Sequence, residues 1–329
     1  MLAVVLALGA SAAWGSADFI AGVGCRRVTL LTVLLVSQAA GLALLAPVLA
    51  ASSEAPPPAS TLALGALAGL FNALALAALY RGLARGKMGL VAPIAATDAA
   101  IPVVFGVLAG ERPRAIAIMG IGLALAGLVL ASRGKAEVEV DGEASASRDS
   151  PATSVALGLT AAVCFGAFMV ALGGASGAST LWAVVMTRLT TFVLLICAAM
   201  VLRPERRPHR ASGRRVASEA STLWAVVVAR FTTVVLLTGA LVLLRAGRAS
   251  GHRGALPLVA VGALDLGASA LFAAATTVGL LSIVGALSSF YPLVTIVLAR
   301  SLLHERLDYL QRAGAAAAVI GAALMASAS

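Results

Sequence analysis

Residues 62–79 read LALGALAGLFNALALAAL, an apolar run that contains no charged side chain. Its length matches the roughly 20 residues that an α-helix needs to cross the hydrocarbon core of a bilayer. The run does not alternate apolar and polar residues, as a membrane β-strand would over about ten residues. Segments of similar length and character recur through most of the chain. The sequence therefore predicts an all-α polytopic membrane protein.

The overall composition favours the same class. Of 329 residues, 60% are apolar and 12% are charged, whereas a soluble domain has about 25% charged residues. The formal charge of +10 is compatible with a nucleic-acid partner. We expect no such partner, because the arginines lie between apolar runs, where membrane proteins use them to fix orientation. The lipid bilayer is the partner that this composition predicts.

Eleven spans are expected. Ala10-Ser11-Ala12 resembles a signal-peptide cleavage site, but no basic segment precedes it and the apolar run continues to Gly24, so we predict a retained first span. The expected spans are Leu2–Val23, Val28–Leu49, Leu62–Tyr80, Met88–Leu108, Ala115–Ala131, Ser154–Leu172, Ser179–Leu202, Ser221–Leu244, Ala255–Val278, Ile283–Leu303 and Tyr309–Ala326.

Residues 133–152 have a different character from the rest of the chain. Five acidic residues stand there among Ser, Gly and Ala, a composition typical of a solvated linker. We therefore predict a first five-helix unit at residues 1–132 and a second unit at residues 153–329.

One helix of the second unit is duplicated. Residues 179–185 and 221–227 both read STLWAVV, and Arg188 matches Arg230 at the same offset of 42 residues. Two copies are too few for a solenoid, which needs three or more. Without one copy the chain has ten spans, five on each side of the linker. We therefore expect one copy to stand outside the bundle, and the sequence leaves open which one.

The connectors predict that the two units are inverted. In the first unit the connectors after spans one and three are basic, and residues 50–61 contain no Lys or Arg. In the second unit residues 173–178 lack them, whereas residues 203–215 contain six arginines. Because positive connectors stay in the cytoplasm, corresponding spans run in opposite directions and both termini lie outside. Inverted repeats of this kind are typical of transporters.

Ionisable side chains inside the spans are site candidates, because each costs several kcal/mol unless it is paired or hydrated. They are Asp18, Asp98, Arg188, Arg230 and Asp265. Pro93 and Pro102 flank Asp98 and can break a helix at a cavity. We expect Asp98 and Asp265 to line a polar path; the alternative is an ion pair with Arg188 that only holds helices together. Asp18 either lines the path or is a hydrated helix end.

Aromatic and hydroxyl side chains add to this set. We expect Trp14, Tyr291 and Ser288 to contact a substrate; the alternatives are packing for Trp14 and an interfacial anchor for Tyr291. Pro292 predicts a kink in its helix.

Two Glu-Arg pairs, at Glu111 and Glu305, end two spans and either form part of a gate or are helix-end charges at the surface. The three His and three Cys residues show no metal-ligand spacing, and the sequence has no phosphate-binding glycine loop. We expect no metal, no cofactor and no catalytic residue.

Several motifs occur in an order typical of one family. Residues 14–22 (WGSADFIAG), 93–96 (PIAA) and 288–300 (SSFYPLVTIVLAR) stand in this order, with Gly110-Glu111-Arg112 after the second and Glu305-Arg306 after the third. Together they resemble EamA-type transporters of the drug/metabolite transporter superfamily. The chain departs from the pattern at His304, where Gly is usual, and in its extra helix.

The resemblance implies ten helices in two inverted five-helix repeats around a central cavity. It also implies gradient-driven export or exchange of small metabolites. We therefore predict a secondary transporter of the inner or plasma membrane that moves a small molecule, such as an amino acid or drug-like solute, outward by alternating access. Asp98 or Asp265 would take up a proton as the coupling ion. The alternatives are a non-transporting membrane scaffold and an intramembrane lipid-modifying enzyme.

Overall fold

The computed structural model describes residues 1–25, 30–85, 91, 94–132, 150–201, 252–303 and 309–327. In these ranges the chain forms eleven α-helices: α1 (Leu2–Cys25), α2 (Leu30–Ala51), α3 (Ala59–Arg85), α4 (Ala100–Leu108), α5 (Ala115–Ser132), α6 (Pro151–Ser176), α7 (Thr180–Val201), α8 (His252–Val278), α9 (Leu281–Ser288), α10 (Tyr291–Leu303) and α11 (Tyr309–Ser327). Eight stretches of them are long and apolar enough to cross a membrane, and α5 is a shorter apolar helix. The chain is an all-α polytopic membrane protein, as its composition predicts.

The first copy of the duplicated segment, α7, is part of the helical bundle. It packs against α2, α3 and α8. The predicted span at residues 221–244, with Arg230, lies outside the described residues, and so do Pro93 and Glu305.

Contacts between helices establish their directions. Gly9 of α1 lies against Leu271 of α8 and Gly24 lies against Leu258, so these two helices are antiparallel. Val33, at the start of α2, lies with Leu258 beside Gly24, and Gly41 lies against Gly262 and Leu266, so α2 is parallel to α8. Following the chain from helix to helix then defines two ends of the bundle.

One end of the bundle is called the first face here. The Ser179 hydroxyl donates to Glu54 Oε2 at 2.7 Å, so the end of α2 and the start of α7 lie together at this face. The opposite end, the second face, holds the end of α7 and the start of α8. The segment from Val201 to His252 therefore leaves and re-enters the described bundle at the same face.

The helix pairings form two matching sets. α1 packs on α8 as α6 packs on α3, and α2 packs on α8 as α7 packs on α3. α5 and α11 pack on each other, each being the last helix of its half.

Two spans are interrupted near mid-membrane, and proline explains both breaks. A turn at residues 289–290 separates α9 from α10, and a turn at residues 96–99 precedes α4. Pro292 and Pro102 lack an N–H and crowd the carbonyl four residues earlier, which disfavours a regular helix at these two sites. The kink predicted from Pro292 is confirmed. Irregular backbone at this depth is tolerated where it is buried or lines a cavity.

Candidate substrate cavity

An ion pair between Arg188 of α7 and Asp265 of α8 lies beside the centre of the bundle. Arg188 is 2% exposed, and its Nη1 also donates to Gln38 Oε1 at 3.2 Å. Its Nη2 donates to the Asp265 carbonyl and to the Ser269 hydroxyl. The helices α2, α7 and α8 are thus joined through one guanidinium.

The Asp265 carboxylate accepts hydrogen bonds from two further side chains. Trp14 Nε1 donates to Oδ1 at 3.1 Å, and Gln38 Nε2 donates to Oδ2 at 3.2 Å. Removing one partner of a buried ion pair costs about 3–5 kcal/mol, because the other charge is left without compensation. Asp265 is therefore held by three donors from three helices.

Asp98 occupies the turn before α4 and is fully buried. The Tyr291 hydroxyl, at the start of α10, donates to its Oδ2 at 3.2 Å. Its Oδ1 has no hydrogen-bond partner among the described residues. Because a buried carboxylate oxygen without a donor is costly, this atom is a natural acceptor for water, a proton or a solute.

Asp18 of α1 differs from the other two acidic residues. Its side chain is exposed, and it faces the same cavity as Asp98 and Asp265. Among the described residues it has neither a salt-bridge nor a hydrogen-bond partner. Its carboxylate is therefore open to contact with whatever enters the cavity.

The cavity lies between the two halves and has a volume of about 90 Å³. This is smaller than the roughly 300–1,000 Å³ of typical drug-sized sites. Both halves contribute to its wall, which is formed by Trp14, Ala17, Asp18, Ala21, Val33, Leu34, Ser37, Gln38, Asn72, Leu76, Leu79, Asp98, Phe165, Phe168, Met169, Val261, Asp265 and Tyr291.

Aromatic rings form one side of this wall. The ring of Trp14 packs edge-on against Phe168, with centroids 6.1 Å apart, and lies tilted by 42° against Phe272, with centroids 5.8 Å apart. Because its indole N–H is bonded to Asp265, Trp14 has a fixed orientation. The cavity therefore combines carboxylates with a rigid apolar surface.

The cavity extends from mid-membrane toward the second face. Ala21, Val33 and Val261 lie in the halves of α1, α2 and α8 that approach that face. Toward the first face this cavity ends at α9, because Ala7 packs near Ser288 and the residues of α9 from Ser282 to Ser288 are buried. A separate, mostly apolar cavity of about 550 Å³ lies at the first face beside Glu111 and Leu281.

Glu111 holds this closed end together. Its Oε1 accepts from the Leu281 amide at 2.6 Å and its Oε2 accepts from the Ser282 amide at 2.9 Å. A carboxylate at a helix N-terminus satisfies free backbone N–H groups and interacts favourably with the helix dipole. We call this contact the Glu111 clamp. It joins the end of α4, in the first half, to the start of α9, in the second half.

The structure brings most of the predicted site residues together. Trp14, Asp18, Asp98, Asp265 and Tyr291 line one cavity. Arg188 lies behind Asp265 and is not part of the lining, in agreement with the ion-pair alternative.

Ser288 differs from the other predicted site residues. It is buried, its hydroxyl donates to the Ala7 carbonyl at 3.4 Å, and it does not line the cavity. Its contact joins α9 to α1 at the closed end. The break after α9 separates Ser288 from Tyr291, and only Tyr291 lines the cavity.

Sequence reasoning missed several polar and aromatic residues of the site. Gln38 contacts both members of the ion pair, and Asn72 donates to Thr191 Oγ1 at 3.4 Å beside the cavity. An amide inside an apolar span was the signal that could have identified both. Phe165, Phe168 and Met169 carry no such signal, because apolar side chains are ordinary in a membrane span.

Within the described part of the chain, no three His, Cys, Asp or Glu side chains form a group that could hold a metal ion. The three carboxylates of the cavity are therefore separate groups on its wall.

Comparison with known proteins gives two findings. The model of the EamA-like transporter family matches residues 1–133 and 211–327. The second matched segment contains the copy at residues 221–244, whereas the copy in the described bundle is α7. No curated protein sequence matches this chain.

Solved structures share the fold: 28 chains match. One of them, titled "Crystal structure of protein", has a TM-score of 0.65 over 98% of this chain and 95% of its own, at 18% sequence identity. At this identity the likeness concerns the fold alone.

The two matched segments cover more than half of the chain, one in each half of the sequence. They agree with the apolar helices and with the cavity between the halves. This chain belongs to the EamA-like transporter family, whose members are membrane transporters.

Proposed function

We propose that this chain is a secondary transporter that carries a small solute outward across the cytoplasmic membrane by alternating access. The observation that supports this most is the polar cavity near mid-membrane, which extends toward one face and is closed at the other. A membrane scaffold would need no such cavity. In transporters with inverted repeats, the site lies at the interface of the repeats and often beside discontinuous helices, as Asp98 and Tyr291 do here.

We further propose that residues 1–132 and 153–329 are the two moving units, with residues 133–152 as the linker. The matching helix pairings support this division. So does the occurrence of one family match in each half. Rocking of one unit against the other would open the cavity alternately to the two faces.

The proposed orientation has the second face in the cytoplasm and both termini outside. The first face has few basic residues: Arg112 and Arg114 lie beside Glu111, whereas residues 52–58, 177–179 and 279–280 contain no Lys or Arg. The segments that follow helix ends at the second face, such as residues 202–251, are rich in arginine. Positive connectors stay in the cytoplasm, so the cavity of this conformation faces inward, ready to load a solute for efflux.

Protons are the coupling ion in this proposal, and the contacts favour Asp98 over Asp265 as the proton acceptor. Asp265 is neutralised by Arg188, whereas Asp98 Oδ1 has no partner among the described residues. Asp18 is a second acceptor. In proteoliposomes, a pH gradient should drive transport by the wild-type protein and not by Asp98→Asn. Transport that ignores the gradient in both proteins would exclude coupling.

The transport proposal is tested by comparing metabolites in cells that lack the protein with those in complemented cells. We expect one or a few small solutes to accumulate inside the deficient cells and to decline on complementation with the wild-type gene. The Asp98→Asn gene, expressed at the same level in the membrane, should not restore the wild-type pattern. Identical solute profiles in deficient and complemented cells, inside and outside, would argue for the scaffold.

A further inference from the structure

We propose that the cavity selects a solute that carries a positively charged amine on a flat apolar body. This inference rests on the proposed function, because it takes the cavity as the binding site of the transported solute. Its starting point is the charge of the wall. Among the described residues that line the cavity there are three carboxylates, Asp18, Asp98 and Asp265, and no Lys or Arg.

Arg188 compensates for one of these carboxylates. Its guanidinium donates to the Asp265 carboxylate, to the Asp265 carbonyl and to Ser269, and it is 2% exposed. If it turned toward an anionic solute, the partly exposed Asp265 carboxylate would lose its counter-charge. The ion pair is therefore a structural element of the wall, and the cavity keeps two carboxylates without a basic partner.

Among the described residues, one oxygen of the Asp98 carboxylate has no hydrogen-bond donor. The side chain is fully buried and lines the cavity, and Oδ1 has no partner among the described residues while Oδ2 is bonded to Tyr291. Nearly all buried polar atoms in proteins are hydrogen-bonded. A protonated amine supplies several N–H donors and the charge that a carboxylate binds most strongly.

Asp18 adds a second negative contact on α1. Its side chain is exposed and lines the cavity, so a cation in the cavity can contact it directly. An anionic solute would meet two carboxylates without a basic group to offset them, and like charges in contact cost several kcal/mol. The arrangement therefore discriminates by the sign of the solute's charge.

The remaining wall fits the apolar part of such a solute. Trp14 and Phe168 present fixed ring surfaces, and Tyr291 lies beside the Asp98 carboxylate. A cation within about 6 Å of an aromatic face gains about 0.5–2 kcal/mol. With a volume of about 90 Å³, the cavity of this conformation favours a slender aromatic or alkyl amine over a bulky one.

The test uses three probes that share a phenyl ring and an ethyl chain and differ in charge: phenethylamine, phenylalanine and 3-phenylpropionate. Binding to the purified full-length protein is measured by isothermal titration calorimetry in detergent. We expect the cation, phenethylamine, to bind about tenfold or more tightly than the anion, and added salt to weaken it. Equal or tighter binding of 3-phenylpropionate would overturn the proposal.

Substitutions test whether Asp18 and Asp98 cause the preference for a cationic solute. Asp18→Asn and Asp98→Asn should each weaken phenethylamine binding about tenfold, and Asp18→Glu should retain most of it. Asp141→Asn in the linker is the matched control, because it removes one negative charge elsewhere. Thermal unfolding of each variant identifies folding defects. Unchanged phenethylamine binding in the folded Asp18→Asn/Asp98→Asn double variant would mean that these carboxylates do not bind the amine, and the proposal would fail.

A transport assay with the same probes separates this inference from the proposed function. Counterflow of phenethylamine in proteoliposomes supports both. Binding of phenethylamine without counterflow supports the cation site and contradicts the transport of such amines by this protein. Counterflow of 3-phenylpropionate without that of phenethylamine supports a transporter and contradicts the cation site.

Discussion

Arg188 forms an ion pair with Asp265, and its copy Arg230 supplies an internal control. We expect Arg188→Ala to destabilise the protein by about 1.5–3 kcal/mol, because the partly exposed Asp265 carboxylate would lose a charged hydrogen-bond donor. Arg230→Ala should change the stability little, because α7, with Arg188, already occupies the position beside Asp265. Thermal unfolding in detergent measures both variants. Equal destabilisation by the two substitutions would contradict the assignment of α7 to this slot.

The hydrogen bond from the Tyr291 hydroxyl to Asp98 is a second contact that a single substitution can test. Tyr291→Phe keeps the ring and removes the hydroxyl that donates to Asp98 Oδ2. We expect the loss of about 1–3 kcal/mol of interaction with Asp98 and a changed pH dependence of transport. Ser288→Ala, which removes a buried hydroxyl outside the cavity, is the control. The prediction fails if Tyr291→Phe and the wild type have the same pH profile.

The site residues that the sequence identified most directly are the charged ones, because burying a charge in a membrane span costs the most free energy. Asp18, Asp98 and Asp265 stood out because ionised groups are rare in membrane spans. Gln38 and Asn72 did not, because an amide costs less and its partners lie far away in sequence. The fixed pairing of Arg188 with Asp265, as opposed to contact with a substrate, depends on the packing of α7 beside α8. No spacing along the chain contains that information.

At the scale of elements, the Glu111 clamp is the contact that holds the first face closed. We expect Glu111→Gln to weaken it, because the amide has one acceptor oxygen and no charge where the carboxylate binds two N–H groups. Hydrogen bonds to charged groups contribute about 1.5–3 kcal/mol each, enough to shift a population between two conformations. The first face should therefore open more often.

Labelling of a cysteine at position 282 measures this opening. Ser282 is fully buried beside the clamp, so Ser282→Cys should react slowly with an impermeant thiol reagent, in a background where Cys25, Cys164 and Cys197 are replaced. Glu111→Gln should increase the rate, and Arg112→Gln, which changes an exposed neighbouring charge, should not. If both variants react at the same rate, Glu111 is a helix-end charge without a gating role.

The elements themselves were largely predictable. Hydropathy alone locates the long helices, since a membrane span must satisfy its backbone internally over about 20 residues. Pro292 revealed the break between α9 and α10. The Glu111 clamp could not be derived in the same way, because two Glu-Arg pairs look alike in sequence and only the fold brings Glu111 to Leu281.

At the scale of the whole molecule, we expect the duplicated unit to behave as an insertion. The end of α7 and the start of α8 lie at the same face, so the segment between them is not needed to connect the bundle. We predict that deleting residues 204–245, one 42-residue unit, leaves thermal stability and transport close to those of the full chain. Loss of folding would show that the second copy is an essential part of the bundle.

The reciprocal deletion, of residues 179–220, tests whether the second copy fits the slot of α7. The copy keeps the equivalent of Arg188 and of Thr191, but it has Ala229 in place of Thr187 and Val234 in place of Phe192. Thr187 donates to the Gly65 carbonyl and Phe192 is fully buried. We therefore expect a folded protein that is less stable by about 2–4 kcal/mol than the first deletion. Equal stability of the two deletions would contradict the contribution of these residues.

The central claim is that two halves enclose one cavity and open it to one face at a time. The most direct measurement is the reactivity of two cysteines, Leu34→Cys in the cavity toward the second face and Ser282→Cys at the first face, each tested with and without Glu111→Gln. The account predicts opposite changes: Glu111→Gln speeds the labelling of position 282 and slows that of position 34. Parallel changes, or two cysteines that react rapidly in the same state, would contradict alternating access.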